Sequence, residues 1–434
     1  MSVAIIGSGL AGVAACDSLA AAGEDVTIYE AADHWGGHTH TEVVEGFTFD
    51  EGPHVSFSAD EQVREVFLKG AGELEEFPAS ISNYYRGHWL THPAQCHLYG
   101  LDPDLVSRCI VDFVEAQATT NPLETYADWL RATYGRTFAE TFPFAYTRKY
   151  WTVAASELGT DWVGSRMYPP RLEEVVRGAL APAQEGDFHY LKTFRYPARG
   201  GYQAFMAGMA RPELIQLNRR VTRVDPAARR LTFEDGTDAG FDRLISTMPL
   251  PELVRAIGPS AAPSEVMHAA DALLCSSLVL IDIAVNRPDL SPHHWFYVYD
   301  EDISFSRVHF PHALAPANAP PGQGSIQAEV YFSRHRPLPT SVDALGERVV
   351  EEMVRIGVLR DASEVLWVRC RTVPYANVVF DHARAPALET ILPWVQSLGI
   401  TLAGRYGEWG YHWTDDATRS GWKAAESLLA VQAG

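Results

Sequence analysis

The sequence predicts an α/β protein in which a Rossmann-type domain is interleaved with an α+β substrate domain. Three observations carry that expectation. An apolar strand, Val3-Ala4-Ile5-Ile6, runs straight into the turn Gly7-Ser8-Gly9-Leu10-Ala11-Gly12. An alanine-rich, proline-free stretch from Leu10 to Ala22 follows, and then a second strand from Asp25 to Tyr29 that ends in Glu30. With 434 residues, the chain is also too long for one compact core.

The order strand, turn, helix, strand and acid suits a dinucleotide. Gly7 permits the tight turn, Gly9 lets backbone approach a pyrophosphate at the helix N-terminus, and Gly12 lets helix and strand pack closely. Leu10 and Ala11 open the helix beside that pyrophosphate. Glu30 stands where an adenosine ribose is hydrogen-bonded.

Composition narrows the partners. The chain is 47% hydrophobic and 21% charged, with a formal charge of -20. No basic stripe is present to neutralise phosphates, which argues against nucleic acid and anionic membranes, and an anionic ligand would need a local arginine pocket. Cys16, Cys96, Cys109, Cys275 and Cys370 lie far apart and form no CxxC pair, so neither a metal site nor a disulfide framework is expected. No apolar run approaches about 18 residues, and the expected location is the cytoplasm. No Ser-His-Asp motif, P-loop, HExxH or internal repeat occurs. Oligomeric state is left open.

After Glu30 comes Ala31-Ala32-Asp33-His34-Trp35-Gly36-Gly37-His38-Thr39. This second glycine loop resembles the extended fingerprint of glutathione-reductase-type flavoproteins, and the resemblance implies FAD, with Gly36, Gly37 and His38 along it. Near the other end, Ile400-Thr401-Leu402-Ala403-Gly404-Arg405 reads as strand and turn, and Asp415 to Val431 as a helix with Ala417, Gly421, Ala424 and Leu428 on one side. In the amine oxidase and sugar mutase branches such a segment closes over the ribityl chain and flavin. Gly404, Arg405 and Asp415 are the matching residues.

The middle of the chain divides between the two domains. Glu42 to Asp50, Val221 to Asp225, Arg230 to Glu234 and Phe241 to Met248 read as strands of the cofactor domain, with Val221 among its FAD contacts. Residues 76–190 look mainly helical, while Ser276 to Ala284, His294 to Tyr299, Ile303 to Phe310 and Ser325 to Phe332 look like sheet strands. The proline-rich Pro311 to Gln323 reads as a surface connection or a lid. The expected FAD-binding domain is residues 1–75, 190–262 and 385–434, and the substrate domain 76–189 and 263–384.

Asp50-Glu51-Gly52-Pro53-His54-Val55-Ser56-Phe57 puts His54 on a Gly-Pro turn just past a strand. The segment resembles the "G-[GP]-H-[VI]-x-F" stretch of UDP-galactopyranose mutases, which implies that His54 lies against the flavin near N5. Phe142 to Trp151, Ser156-Glu157-Leu158 and Trp162 to Arg166 resemble the mutase segment "Y-[TN]-x-K-x-W…P-x-E-[LI]…R". By that resemblance Tyr146 and Trp151 line the nucleotide-sugar site, and Arg166 contacts its pyrophosphate. Arg307, within Ser304-Phe305-Ser306-Arg307-Val308, matches the second pyrophosphate arginine. Tyr331 and Tyr375 fall where the mutases place phosphate-binding tyrosines. A guanidinium fork suits such an anion.

The resemblance implies an FAD enzyme, most closely a mutase. It would interconvert pyranose and furanose forms of a nucleotide sugar through a sugar adduct at reduced-flavin N5, with NAD(P)H as a candidate reductant. His54, Arg166 and Arg307 are its expected catalytic residues. The alternative is an FAD oxidoreductase of the amine oxidase or desaturase type. Typical amine oxidases carry a lysine beside flavin N5, and no lysine occurs between Lys192 and Lys423. A non-catalytic flavin-binding protein is the third reading.

Overall fold

The structure is a computed structural model that describes residues 2–118, 122–164, 167–182 and 193–430. Five parallel strands form its first sheet, in the order Ile400–Leu402, Arg243–Ser246, Ser2–Ile6, Asp25–Tyr29, Ile215–Gln216. Val3, Ile5, Val26, Ile28 and Ile245 are buried on one side of it beneath helix Leu10–Ala21. That helix buries apolar residues on more than one side, because its outer side is covered in turn by the C-terminal helix Thr414–Ala430. The two helices meet where Gly421 has no side chain: a Cβ there would stand 2.2 Å from the Ala11 carbonyl oxygen.

The second sheet has seven strands, in the order Val365–Val378, Cys275–Val285, Gly324–Phe332, Arg307–His309, Trp295–Val298, Ile81–Tyr85, His88–Thr91. All neighbours are antiparallel except Trp295–Val298 with Ile81–Tyr85. Strand alternation sorts its residues onto two faces. Val279, Ile281, Ile283, Ile326, Ala328 and Val330 pack with Leu345, Val349 and Met353 of helix Val342–Arg355. The opposite face carries Leu278, Leu280 and Asp282, paired across the ladder with Tyr331, Glu329 and Gln327. That polar face looks toward the first sheet.

Helices Pro103–Gln117, Tyr126–Tyr134, Arg136–Thr141, Pro143–Tyr150 and Leu172–Leu180 form a layer beside the second sheet. Thr125 and Asp128 start the second of these with a reciprocal capping box, and Asp102 caps the first. Lys149 is fully buried, and its ammonium donates to the carbonyls of Val298 at 3.2 Å and Asp300 at 2.9 Å. This fastens helix Pro143–Tyr150 to the sheet. Burial pushes the ammonium down to about 7.

Two strand elements were not expected from the sequence. The range 76–190, expected to be mainly helical, also holds Ile81–Tyr85 and His88–Thr91, a hairpin that completes the second sheet. Its Arg86-Gly87 turn has positive φ at both positions, 46° and 84°, as tight hairpins require. Val365–Val378, unassigned from the sequence, is a long strand that runs through Pro374. It is an edge strand, and the ladder shifts register there, which is where a residue without an N–H is tolerated. Pro311 to Gln323 is folded rather than open: Asn318 is buried and donates to the Pro311 carbonyl.

Among the described residues no helix is long and apolar enough to cross a membrane. Among them too, no group of three His, Cys, Asp or Glu is placed to hold a metal ion. Packing at Gly421 gives a direct test. Gly421→Val is expected to lower stability by roughly 2 kcal/mol or more through overpacking. Gly240→Ala, whose Cβ would have 3.9 Å of clearance, is expected to leave the thermal midpoint nearly unchanged. Thermal unfolding of the two variants beside the wild type decides it.

Candidate active site

The first strand ends in a turn whose backbone only glycine permits. Gly7 has φ +96°, and a Cβ on it would stand 2.3 Å from the Thr247 hydroxyl. A Cβ on Gly12 would stand 2.0 Å from the Gly7 carbonyl, so Gly12 lies beneath the turn and does not face the cavity. Gly36 and Gly37 cross over this turn. Gly36 donates to the Ser8 carbonyl at 3.1 Å, and a Cβ on Gly37 would stand 3.0 Å from Gly9 Cα.

Helix Leu10–Ala21 begins at Gly9 with no side-chain cap and no acid in its first turn. Its first N–H groups and its positive dipole end are therefore directed at whatever lies in front of them. Glu30 accepts from Ser8 N at 2.8 Å, Ser8 Oγ at 2.6 Å and Ala32 N at 2.9 Å, which holds the carboxylate at the cavity wall.

One cavity of about 1320 Å³ starts at this turn and runs between the two sheets. That volume exceeds the roughly 300–1,000 Å³ of a single drug-sized ligand site. Gly7, Gly9, Leu10, Ala11, Glu30, Gly36, Gly37, His38, Val221, Gly404 and Arg405 line one stretch of it. His54, Tyr146, Trp151, Arg307, Tyr331 and Tyr375 line the rest. Arg166 lies outside the described residues. Asp415, expected to face the cofactor, instead accepts from the Ser58 hydroxyl at 2.9 Å. Helical spacing gives the cavity face of that helix to Thr414 and Ala417, three residues apart.

His54 donates from Nδ1 to the Gly52 carbonyl at 3.0 Å, since the carbonyl can only accept. Its Nε2 is then left with a lone pair. Burial, reinforced by the nearby His38, pushes the imidazole down to about 4, so it is neutral near pH 7. His38 is itself held by Glu51 through Nδ1 at 2.5 Å.

The arginine expected to be open to an anion is already paired. Arg307 and Glu329 are direct cross-strand neighbours, and Arg307 Nε and Nη2 both bond the Glu329 carboxylate, the second at 2.8 Å. Tyr331 donates to the same carboxylate at 2.9 Å. Tyr375 donates to Glu252. Both tyrosines expected on phosphate thus bond carboxylates here, and Arg307 keeps only Nη1 unengaged by Glu329.

Arg405 differs. Among the described residues it has no carboxylate partner: Nη2 donates to Asn377 Oδ1 at 2.8 Å, and its buried Nε has no hydrogen-bond partner. Sequence reasoning missed much of the remaining wall. Tyr150, Tyr297, Tyr299, Trp162 and Tyr411 all line the cavity. Trp162 stands 4.9 Å from Trp151 and stacks on Tyr411 at 6.0 Å. The alternation Trp295, Tyr297, Tyr299 in a strand was the available signal for part of this wall.

With the geometry in view, comparison with known proteins gives the family. The family description "flavin containing amine oxidoreductase" matches residues 10–429. The chain belongs to that family. A reduced UDP-galactopyranose mutase superposes with a TM-score of 0.91, at 25% identity, over 99% of this chain and 94% of that one. A protoporphyrinogen oxidase assigned from Exiguobacterium sp. 255-15 superposes at TM-score 0.75 and 17% identity, over 99% of both chains. A putrescine oxidase bound to putrescine does so at 0.64 and 16%, again over 99% of both. Such low identities show a shared fold. The 4,4'-diapophytoene desaturase (4,4'-diaponeurosporene-forming) of Staphylococcus aureus strain Newman is 35% identical over 77 residues. The match spans 18% of this chain and only 15% of that protein.

This flavoenzyme family implies FAD, and the residues present fit it. The uncapped helix end offers N–H groups to a pyrophosphate, the glycines let the two turns lie against each other where side chains would clash, and the Glu30 carboxylate is held at the cavity wall. Gly37→Val, with φ +54° at that position and Gly9 behind it, is expected to leave a folded protein that takes up no flavin. Visible absorbance after FAD titration measures this. The low His54 value has a second consequence. Since the folded value lies below the free one of 6.5, stability is undiminished above that pH and falls as the pH drops toward 4. His54→Gln is expected to flatten this acid limb in the apoprotein, read as thermal midpoint against pH.

Proposed function

We propose that this chain is a mutase of the flavin family, interconverting pyranose and furanose forms of a nucleotide sugar, with reduced FAD as its cofactor. The observation that carries the reading is the whole-chain superposition on UDP-galactopyranose mutase at a TM-score of 0.91. The site geometry supports it. A reduced flavin supplies a nucleophile at N5, and the chain's own residues do the rest.

His54, neutral and fixed through Nδ1, orients the ring edge rather than acting as a base at neutral pH. Trp151, Tyr146 and their aromatic neighbours stack on the ligand and exclude water. The Nη1 edge of Arg307 and Arg166 hold the departing diphosphate. The Glu329 carboxylate keeps Arg307 from drifting and makes that part of the wall neutral. We place the enzyme in the cytoplasm, with its five cysteines as free thiols.

The oxidoreductase reading draws on the oxidase members of the fold. It meets an obstacle in the cavity: no lysine lines it among the described residues, and Lys149 is turned away into backbone carbonyls. Anaerobic incubation of dithionite-reduced holoenzyme with UDP-galactofuranose separates the two. The mutase is expected to give UDP-galactopyranose with no net redox change, and Trp151→Ala to slow it by about tenfold or more through lost packing. Dioxygen consumption with peroxide release and no sugar isomerisation would overturn the proposal.

A further inference from the structure

Behind the cavity wall lies a buried polar cluster that the reaction proposed above does not use. Asp282 and Gln327 are both fully buried. Asp282 Oδ2 accepts from Arg371 Nε at 2.9 Å and from Arg369 Nη2 at 2.9 Å, and Oδ1 accepts from Gln327 Nε2 at 2.6 Å. The same Gln327 Nε2 and Arg371 Nη2 each donate to the backbone carbonyl of Asp50 at 3.0 Å. Asp50 belongs to strand Phe47–Asp50, outside the second sheet, and its carboxylate is held separately by Thr41, Tyr196 and the Tyr202 amide.

The position of that carbonyl matters. The next four residues are Glu51, which holds His38, then Gly52, which holds His54, then Pro53 and His54 itself. All four line the cavity. Burying a carboxylate and guanidiniums costs desolvation that apolar residues of the same volume avoid, so the cluster is a poor device for stability alone. Its geometry serves orientation instead: two donors from two strands meet on one carbonyl and fix the start of the loop.

We propose that Asp282, Gln327 and Arg371 act as a positioning clamp that sets the Glu51–His54 loop against the flavin. Gln327 shares its strand face with Glu329 and Tyr331, so the clamp ties the flavin-facing loop to the strand that forms the ligand wall. The inference rests on the flavin reading, and its test keeps the two apart.

Gln327→Met removes one donor to the Asp50 carbonyl, and Arg371→Lys cannot reach both of its acceptors. Arg369→Met is the control, because Arg369 bonds the same Asp282 and also Glu42 but does not touch Asp50. Hydrogen exchange of the apoprotein is read over residues 51–55, followed by FAD titration and the flavin midpoint potential. For Gln327→Met and Arg371→Lys, loop exchange about tenfold faster, FAD binding about tenfold weaker and a shifted potential are expected. Arg369→Met is expected to match the wild type in all three while melting at a lower temperature. If all three variants behave alike, or if the first two leave the loop and the potential unchanged, the clamp is overturned. A wild type that takes up no flavin overturns the cofactor reading, and the exchange comparison still decides the clamp. Should Arg371→Lys fail to fold, Gln327→Met decides.

Discussion

The structure depends on backbone approaching backbone where side chains are missing. The turns at Gly7 to Gly12 and Gly36-Gly37 lie against each other, and the C-terminal helix reaches the first helix through Gly421. A Cβ at Gly7, Gly12 or Gly421 would stand 2.0–2.3 Å from its neighbour, and one on Gly37 3.0 Å from Gly9 Cα. These contacts leave the helix N-terminus open to the cavity, so one constraint both closes the first domain and creates a place for an anionic cofactor.

Across the cavity the ligand wall is made by register. Because strand side chains alternate, the face opposite Val279, Ile281 and Ile283 must carry Leu278, Leu280 and Asp282. Pairing then sets Glu329 beside Arg307 and Gln327 beside Asp282 and His309. On this sheet the buried carboxylates Glu329 and Asp282 are each matched by arginines one strand away. The result is a wall dominated by aromatic rings, and among the described arginines that line the cavity Arg405 stands out as the one without a carboxylate partner. Such a wall favours a ligand that offers ring faces for stacking and a localised anion.

Much of this was legible in the residues alone. The Gly-x-Gly-x-x-Gly turn, the second glycine pair and the carboxyl-terminal helix signalled the cofactor cradle because each depends on local backbone conformation. The motifs around His54 and Trp151 pointed to residues that do line the cavity. The hairpin at Ile81 to Thr91 and the long strand through Pro374 escaped notice, since each takes its place in the sheet from a distant strand, Trp295–Val298 and Cys275–Val285 respectively.

What the sequence by itself determined, then, is the order of strand, glycine turn and helix at each end, because a positive φ or a missing Cβ is a property of one residue. The tertiary structure decided how the functional groups are spent. Arg307, Tyr331 and Tyr375 face carboxylates, and Asp415 turns to Ser58. Apart from Tyr331 with Glu329, two positions apart on one strand face, those pairings join residues 22 to 357 positions apart and depend on strand register and helix phase, which no local pattern encodes.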